Sequence, residues 1–353
     1  MGEISVDQVR EIPQYRDPII DAAKGFGILF VILGHLVYYD SPLFRIIFNF
    51  HMPLFFALSG MTFSPDKYAD GKAILKRLWT NLGVPFVFFT LLGTVICILT
   101  GRFVQHSLMD WLRVGSSFVR GDPYVAGSLW FLTCLAVVKF LFWAWHRRRN
   151  SIRKTISLLI MAYVCGVLFA DFIHPKVLLG GPLMCFSVPM AFFFFTIGYY
   201  SRGLLEKIRM TYFPIAVVLS LIFFSLEILL ALSRPTPNLA IPSFPSPLVF
   251  LPASLCGICA VLLLSGKSLF PIRFIGRYSL YYFLMERWVR EAWFAISARL
   301  MPDFISHFNE DNSNLIQLTG LQTVVTLAAV IMMTTVILPI LRTALESLRH
   351  YRH

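Results

Sequence analysis

The chain has 353 residues, of which 57% are hydrophobic and only 14% charged, against roughly 45–50% apolar and about 25% charged in a soluble globular protein. That composition excludes a disordered chain and a water-soluble globular domain. Its 31 Lys and Arg against 19 Asp and Glu give a formal charge of +12, but no aromatic-basic module for nucleic acid accompanies the excess, and cationic loops beside anionic membrane lipid explain it.

Apolar runs of about 20 residues, the length that crosses a hydrocarbon core of roughly 30 Å, divide the chain into ten expected spans. They lie near 18–38, 46–64, 81–100, 128–145, 154–173, 180–200, 211–232, 246–265, 275–300 and 315–341. The expectation is an all-α integral membrane protein with one transmembrane domain over 1–353, comprising an N-terminal segment 1–17 and a tail 342–353. The first seventeen residues carry Glu3, Asp7, Arg10, Glu11, Arg16 and Asp17 instead of the layout of a cleaved secretory signal, so the first span is expected to remain as an anchor.

The first span holds Asp21, Lys24 and His35. Eleven residues are almost three helical turns, so Lys24 and His35 share a face about 16 Å apart along the axis. Asp21 precedes Lys24 by three residues and can pair with it. A cation near one end and a histidine deep in the span suit a donor with an anionic head and a long arm, a shape that coenzyme A thioesters have. The alternative is that Lys24 snorkels to the interface and His35 satisfies a neighbouring carbonyl.

The second span opens with Phe48-Asn49-Phe50-His51-Met52-Pro53. The short connection starts His51 at a depth near that of His35, so the two imidazoles can face one cavity, and Pro53 frees a backbone carbonyl beside them. Between the third and fourth spans, an interfacial stretch is expected around His106 to Val119, with Arg102, Arg113 and Arg120 facing lipid phosphate or an anionic acceptor. All six cysteines fall in apolar runs, and no disulfide is expected; Cys256 and Cys259 have CxxC spacing, which alone is weak. In the ninth span Glu286 with Arg290, and Arg287 with Glu291, stand at i, i+4. Connections 233–245 and 301–314 are too short for a further domain.

Assigning loops to alternate sides puts most of the basic residues on the side of both termini, including Lys67, Lys72, Lys76, Arg77, the run Arg147-Arg148-Arg149, Arg202, Lys207, Lys267 and Arg277. By the positive-inside rule both termini are cytoplasmic.

Taken together, Asp21-Ala-Ala-Lys24-Gly25, the ten residues between Lys24 and His35, Phe50-His51-Met52-Pro53-Leu54-Phe55-Phe56 with Ser59-Gly60, Ser128-Leu129-Trp130-Phe131-Leu132, and Gly276-Arg277-Tyr278-Ser279-Leu280-Tyr281 resemble the membrane acyltransferase-3 family. The likeness is closest to its fucose-acetylase-like, sugar O-acetylating members. It implies a ten-helix enzyme of the plasma membrane, the inner membrane in bacteria, that uses cytoplasmic acyl-CoA, acetyl-CoA foremost, to acylate a carbohydrate hydroxyl such as that of a lipid-linked or cell-surface polysaccharide. No metal is expected.

The family's basic-residue, ten-spacer, histidine motif falls on Lys24 and His35. The wider family more often has Arg first, and Lys24 keeps the charge without the planar fork that grips phosphate. The basic loop after the second span matches Lys76 and Arg77, leading to Pro85, as further candidates for the donor head. Where the family often has a histidine in the ninth span, this chain has Glu286, so that histidine's role is not inherited. Trp130, near the outer surface, can stack on a sugar ring or simply anchor. Asp21, Glu286 and Arg287 complete the residues expected around substrate.

Acyl transfer is the leading reading. His35 accepts the hydroxyl proton as general base, His51 orients the acceptor or the developing oxyanion, and Lys24, Lys76 and Arg77 hold the donor phosphates. A covalent acyl-imidazole on His35 is the mechanistic variant. The rival is a proton-coupled transporter using His35, His51 and Glu286. The acceptor sugar and the oligomeric state stay open.

Overall fold

The computed structural model describes residues 17–99, 108–120, 129–148, 151–172, 184–267, 270–300 and 320–350. The segment 1–16, Arg102, His106, Ser128, Lys176, the connection 301–314 and Arg352 lie outside the described residues. Among the described residues the regular structure is helical, with one isolated bridge between Asn238 and Ser243.

The first helix, α1, runs Pro18–Gly34, and α2 runs Pro42–Met61. The expected first span reaches 38, but the helix stops at Gly34. His35 caps it, with its backbone N–H bonded to the carbonyls of Val31 and Ile32. The chain then reverses through Asp40 in the left-handed region, φ 61°. Ser41 restarts it by accepting the Phe44 N–H at 3.3 Å, and Pro42 occupies the first turn, where a missing N–H costs nothing. So α2 begins four residues before the expected span, and His51 and Pro53 stand in mid-helix, not at its start.

The next helix, α3 (Gly71–Leu78), continues through a wide π turn at Trp79–Gly83 into α4 (Val84–Leu99). The basic segment expected as a loop is therefore helical, with Lys76 and Arg77 on its exposed side and Ile74 and Leu78 buried. The expected interfacial stretch is helical as α5 (Leu108–Arg120), which leaves Leu108, Trp111 and Leu112 exposed. Next come α6 (Trp130–His146), α7 (Ile152–Phe172), α8 (Val188–Tyr200), the short α9 (Leu204–Met210), α10 (Phe213–Leu232) and α11 (Pro247–Leu264). The expected ninth span divides into α12 (Phe270–Arg277) and α13 (Ser279–Leu300), and α14 (Gly320–His350) carries the helix into what was expected to be a tail.

Among the described residues six stretches are helical, long and apolar enough to cross a membrane: α2, the continuous Gly71–Leu99, Ile152–Ala170, α10, Pro247–Lys267 and Leu321–Thr343. Helices α6 and α8 are apolar but shorter. Outward faces of α7, α10 and α14 display Ile160, Val164, Leu221, Leu229, Met332 and Val336, a surface that suits hydrocarbon and not water.

Helix α2 lies at the centre, packed against α1, α8, α10 and α11. Its lower half meets α8 backbone to backbone. A Cβ on Gly198 would collide with the Ala57 carbonyl, and one on Gly60 with the Phe195 carbonyl, so only glycine permits this crossing. At the other end, the connection after α10 is tied to the α1–α2 turn. Thr236 donates to Asp40 at 2.6 Å, and Arg45 grips the same carboxylate at 2.6 and 3.0 Å. These partners, the Thr236 hydroxyl first, hold the Asp40 carboxyl below the usual aspartate range, so the tie persists to a lower pH than an ordinary aspartate allows.

A methyl group at Gly198 is expected to lower stability by about 1–3 kcal/mol through overpacking. Gly203→Ala, where nothing lies within 4 Å of the added methyl, is expected to stay within about 0.5 kcal/mol of the parent. Thermal unfolding in nanodiscs distinguishes the two, and equal midpoints would refute the close crossing.

Candidate active site

Asp17 starts α1 by accepting the Ile19 N–H at 2.9 Å, and Arg209 of α9 reaches its carboxylate at 2.8 Å. One turn on, Asp21 is 7% exposed. Its carboxylate makes an ionic contact of 3.9 Å with Arg277 of α12. Helix α12 reaches this position because Gly25 faces the Ile272 carbonyl and Gly276 faces the Asp21 carbonyl, with no room for a Cβ at either. This crossing explains why the expected ninth span breaks near Tyr278: α12 lies along α1, and α13 must leave in a new direction. Lys24 is half-buried beside it, and Lys139 of α6 stands near enough to feel its charge.

Three turns further along α1, His35 Nδ1 lies 3.0 Å from Glu286 Oε2 of α13, across 251 residues of sequence. Glu286 is 1% exposed, whereas the His35 side chain is 27% exposed. The second carboxylate oxygen, Oε1, accepts from Arg290 Nε at 2.7 Å. The i, i+4 contact read from the sequence is thus present, and it occupies only half of the carboxylate. The other expected contact is also present, Arg287 Nε donating to Glu291 at 3.2 Å, with the Arg287 guanidinium 5.4 Å from the Trp288 ring centre.

His51 is 4% exposed, with Nδ1 2.7 Å from the Ile47 carbonyl. A carbonyl only accepts, so Nδ1 carries the proton and Nε2 of the neutral ring is an acceptor. The Phe48 ring stands against both imidazoles, 6.4 Å from His35 and 4.7 Å from His51 between centroids. The two histidines therefore flank a common aromatic surface without bonding each other. Pro53 cannot donate to the Asn49 carbonyl, and the Ser254 hydroxyl of α11 takes that place at 2.7 Å.

Trp130, in the first turn of α6, is 8% exposed and packs near Phe56 and Phe131 at 6.4 and 6.3 Å. Lys76 and Arg77 lie on the exposed face of α3. Two side chains were not singled out as candidates from sequence: Asn49 and Lys139. Each carried one signal, a polar group inside an apolar run. Among the described residues no three His, Cys, Asp or Glu side chains converge as a metal site.

A family model described as an acyltransferase domain matches residues 17–342. Two similar proteins are both called Nodulation protein NolL. The one from Mesorhizobium japonicum is 31% identical over 193 residues, 49% of this chain and 46% of the relative. The one from Sinorhizobium fredii is 26% identical over 204 residues, 54% of this chain and 50% of the relative. The chain spans about half the length of the curated relatives it matches. No solved structure matches it.

Replacing Glu286 with Leu removes the acceptor of both His35 and Arg290 and is expected to cost about 1–3 kcal/mol. Glu286→Gln keeps one acceptor oxygen and should cost less. Unfolding midpoints in nanodiscs report the order, and a Leu variant as stable as the parent would contradict the paired carboxylate.

Proposed function

Because the chain belongs to the membrane acyltransferase-3 family, we propose that it is a multi-pass O-acyltransferase of the inner membrane that moves an acyl group, acetyl foremost, from cytoplasmic coenzyme A thioester to a carbohydrate hydroxyl. In this reading ten helices span the bilayer, α1 and α13 among them, and both termini face the cytoplasm, a topology that the distribution of Lys and Arg supports. The observation that carries the proposal is the His35–Glu286 contact at 3.0 Å. It places an imidazole held by a carboxylate at the end of the helix that carries Lys24.

The chemistry follows from the orientation of that ring. Glu286 engages Nδ1, so Nδ1 carries the proton and Nε2 is the basic nitrogen. Nε2 takes the proton of the acceptor hydroxyl as its oxygen attacks the thioester carbonyl carbon. The carbon–sulfur bond then breaks, and the thiolate leaves with the proton returned from Nε2, giving an ester and the free thiol. Glu286 fixes the ring and favours the transient imidazolium, a role a carboxylate performs without itself being protonated. Arg290 keeps the carboxylate aimed.

His51, with its Nδ1 proton given to Ile47, offers an acceptor nitrogen. Of the two roles expected for it, orienting the acceptor fits that tautomer, through a second hydroxyl of the carbohydrate, whereas stabilising an oxyanion needs a donor. Lys24, about 16 Å back along α1, with the exposed Lys76 and Arg77, receives the phosphates of the donor head. Asp21 positions Arg277 at the same end. Arg287 and Trp130 are the proposed carbohydrate contacts in this reading.

The test is thiol release from acetyl-CoA by protein in nanodiscs, with and without a crude glycolipid extract. Acceptor-stimulated release is expected, and His35→Ala should lower it by about 10²-fold or more, the usual contribution of a positioned general base. Absence of any acyl-CoA turnover by folded protein, or full activity in the variant, would refute the proposal.

A further inference from the structure

A second group of charged side chains lies buried behind α2, outside the chemistry above. Glu227 of α10 is fully buried, and Arg234, just beyond the end of that helix, is 4% exposed. Asn49 joins them. Its amide nitrogen donates to Glu227 Oε1 at 3.3 Å, and its amide oxygen accepts from Arg234 Nη2. Arg234 also donates to the Pro245 carbonyl at 3.4 Å and sits 5.7 Å from the Phe250 ring centre. Glu227 Oε2 and Arg234 Nε make no hydrogen bond among the described residues. A buried carboxylate and guanidinium joined only through an amide is an expensive way to hold two helices together, because each leaves one polar atom unsatisfied.

The position of Asn49 gives this arrangement a purpose. Successive residues turn 100° on a helix, so Asn49 and His51 point about 160° apart, whereas Phe48 and His51 lie within about 60° of each other. Fixing Asn49 on one side of α2 therefore aims Phe48 and His51 at the other, toward His35. The helix needs such fixing here, because Pro53 removes the intrahelical bond to the Asn49 carbonyl. Below the break, the Gly60 and Gly198 crossings hold α2 to α8. Above it, beyond the Arg45–Asp40–Thr236 tie at the helix start, Asn49 attaches to Glu227 and Arg234, and Ser254 to the freed carbonyl. Gly257 lets α11 approach the Phe50 ring closely at the same level.

We propose that Asn49, Glu227 and Arg234 are positioning residues for the transfer reaction, locking the rotation of the proline-broken α2 so that Phe48 and His51 face His35. The proposal rests on the acyltransferase reading for its kinetic consequence. It also has a readout independent of turnover: the carbethoxylation of His51, followed by mass spectrometry.

Asn49→Leu, of similar volume, is the principal variant. Its expected effect is at least a tenfold fall in kcat with the KM for acyl-CoA within twofold of the parent, and a several-fold rise in His51 labelling. Glu227→Gln keeps an oxygen to accept from Asn49 and should retain most of the activity and the low labelling. If Asn49→Leu does not fold, Ser254→Ala, which deletes only the hydroxyl on the freed carbonyl, should show the same kinetic split and labelling change more weakly. A folded Asn49→Leu with parental kcat and labelling, or one whose kcat and acyl-CoA KM deteriorate together, overturns the proposal, as does a parental Ser254→Ala where that variant stands in. If the parent releases no thiol, the transferase reading fails instead, and unchanged His51 labelling then overturns the positioning role separately.

Discussion

Burying a carboxylate until 1% of its side chain is exposed carries a desolvation cost that packing does not recover, and partners on its oxygens offset it. Glu286 meets this with Arg290 from its own helix and His35 from the first. The second of these contacts closes the bundle. It requires α13 to run beside the end of α1, which in turn requires α12 to turn along α1 before α13 begins. The glycine-to-carbonyl contacts of Gly25 and Gly276 are the local means of that turn. The same carboxylate sets the tautomer of His35, so a packing requirement and the proposed catalytic one coincide in one residue.

Around that pair the architecture divides by exposure. Helix α2 is enclosed and carries the other histidine, while α7, α10 and α14 turn faces of branched aliphatics outward that suit lipid. The site is not symmetric along its axis. Cations and the half-buried Lys24 gather at the start of α1, and histidine, carboxylate and aromatic rings gather at its end. A donor with a charged head and a reactive tail matches that polarity, which is why the acyl-CoA reading accounts for more of the molecule than a uniform proton path.

Much of this was legible in sequence because it is local. The Lys24–His35 spacing, the i, i+4 contacts of Glu286 and Arg287, and a helix in each expected segment all follow from helical periodicity. The freed carbonyl at Pro53 was also legible, though its partner Ser254 lies 205 residues away and was not. Nor was the meeting of His35 with Glu286, which depends on how distant helices pack. Helix limits were misjudged where capping outweighed hydropathy. Ser41 and Pro42 start α2 early, and the π turn at Trp79–Gly83 absorbs what read as a break before a new span. Glu227 and Arg234 drew no attention, because a single charge near the end of an apolar run looks interfacial until its partner is known.

The central claim is that Glu286 acts on the reaction through His35. A double-mutant cycle of His35→Asn and Glu286→Gln, read as the single-turnover rate of acyl transfer in nanodiscs, tests it most directly. If the two form one unit, the double variant should be no more than about threefold slower than His35→Asn alone, since residues that act together lose their effect together. Losses that multiply independently would contradict the account and assign Glu286 a separate role.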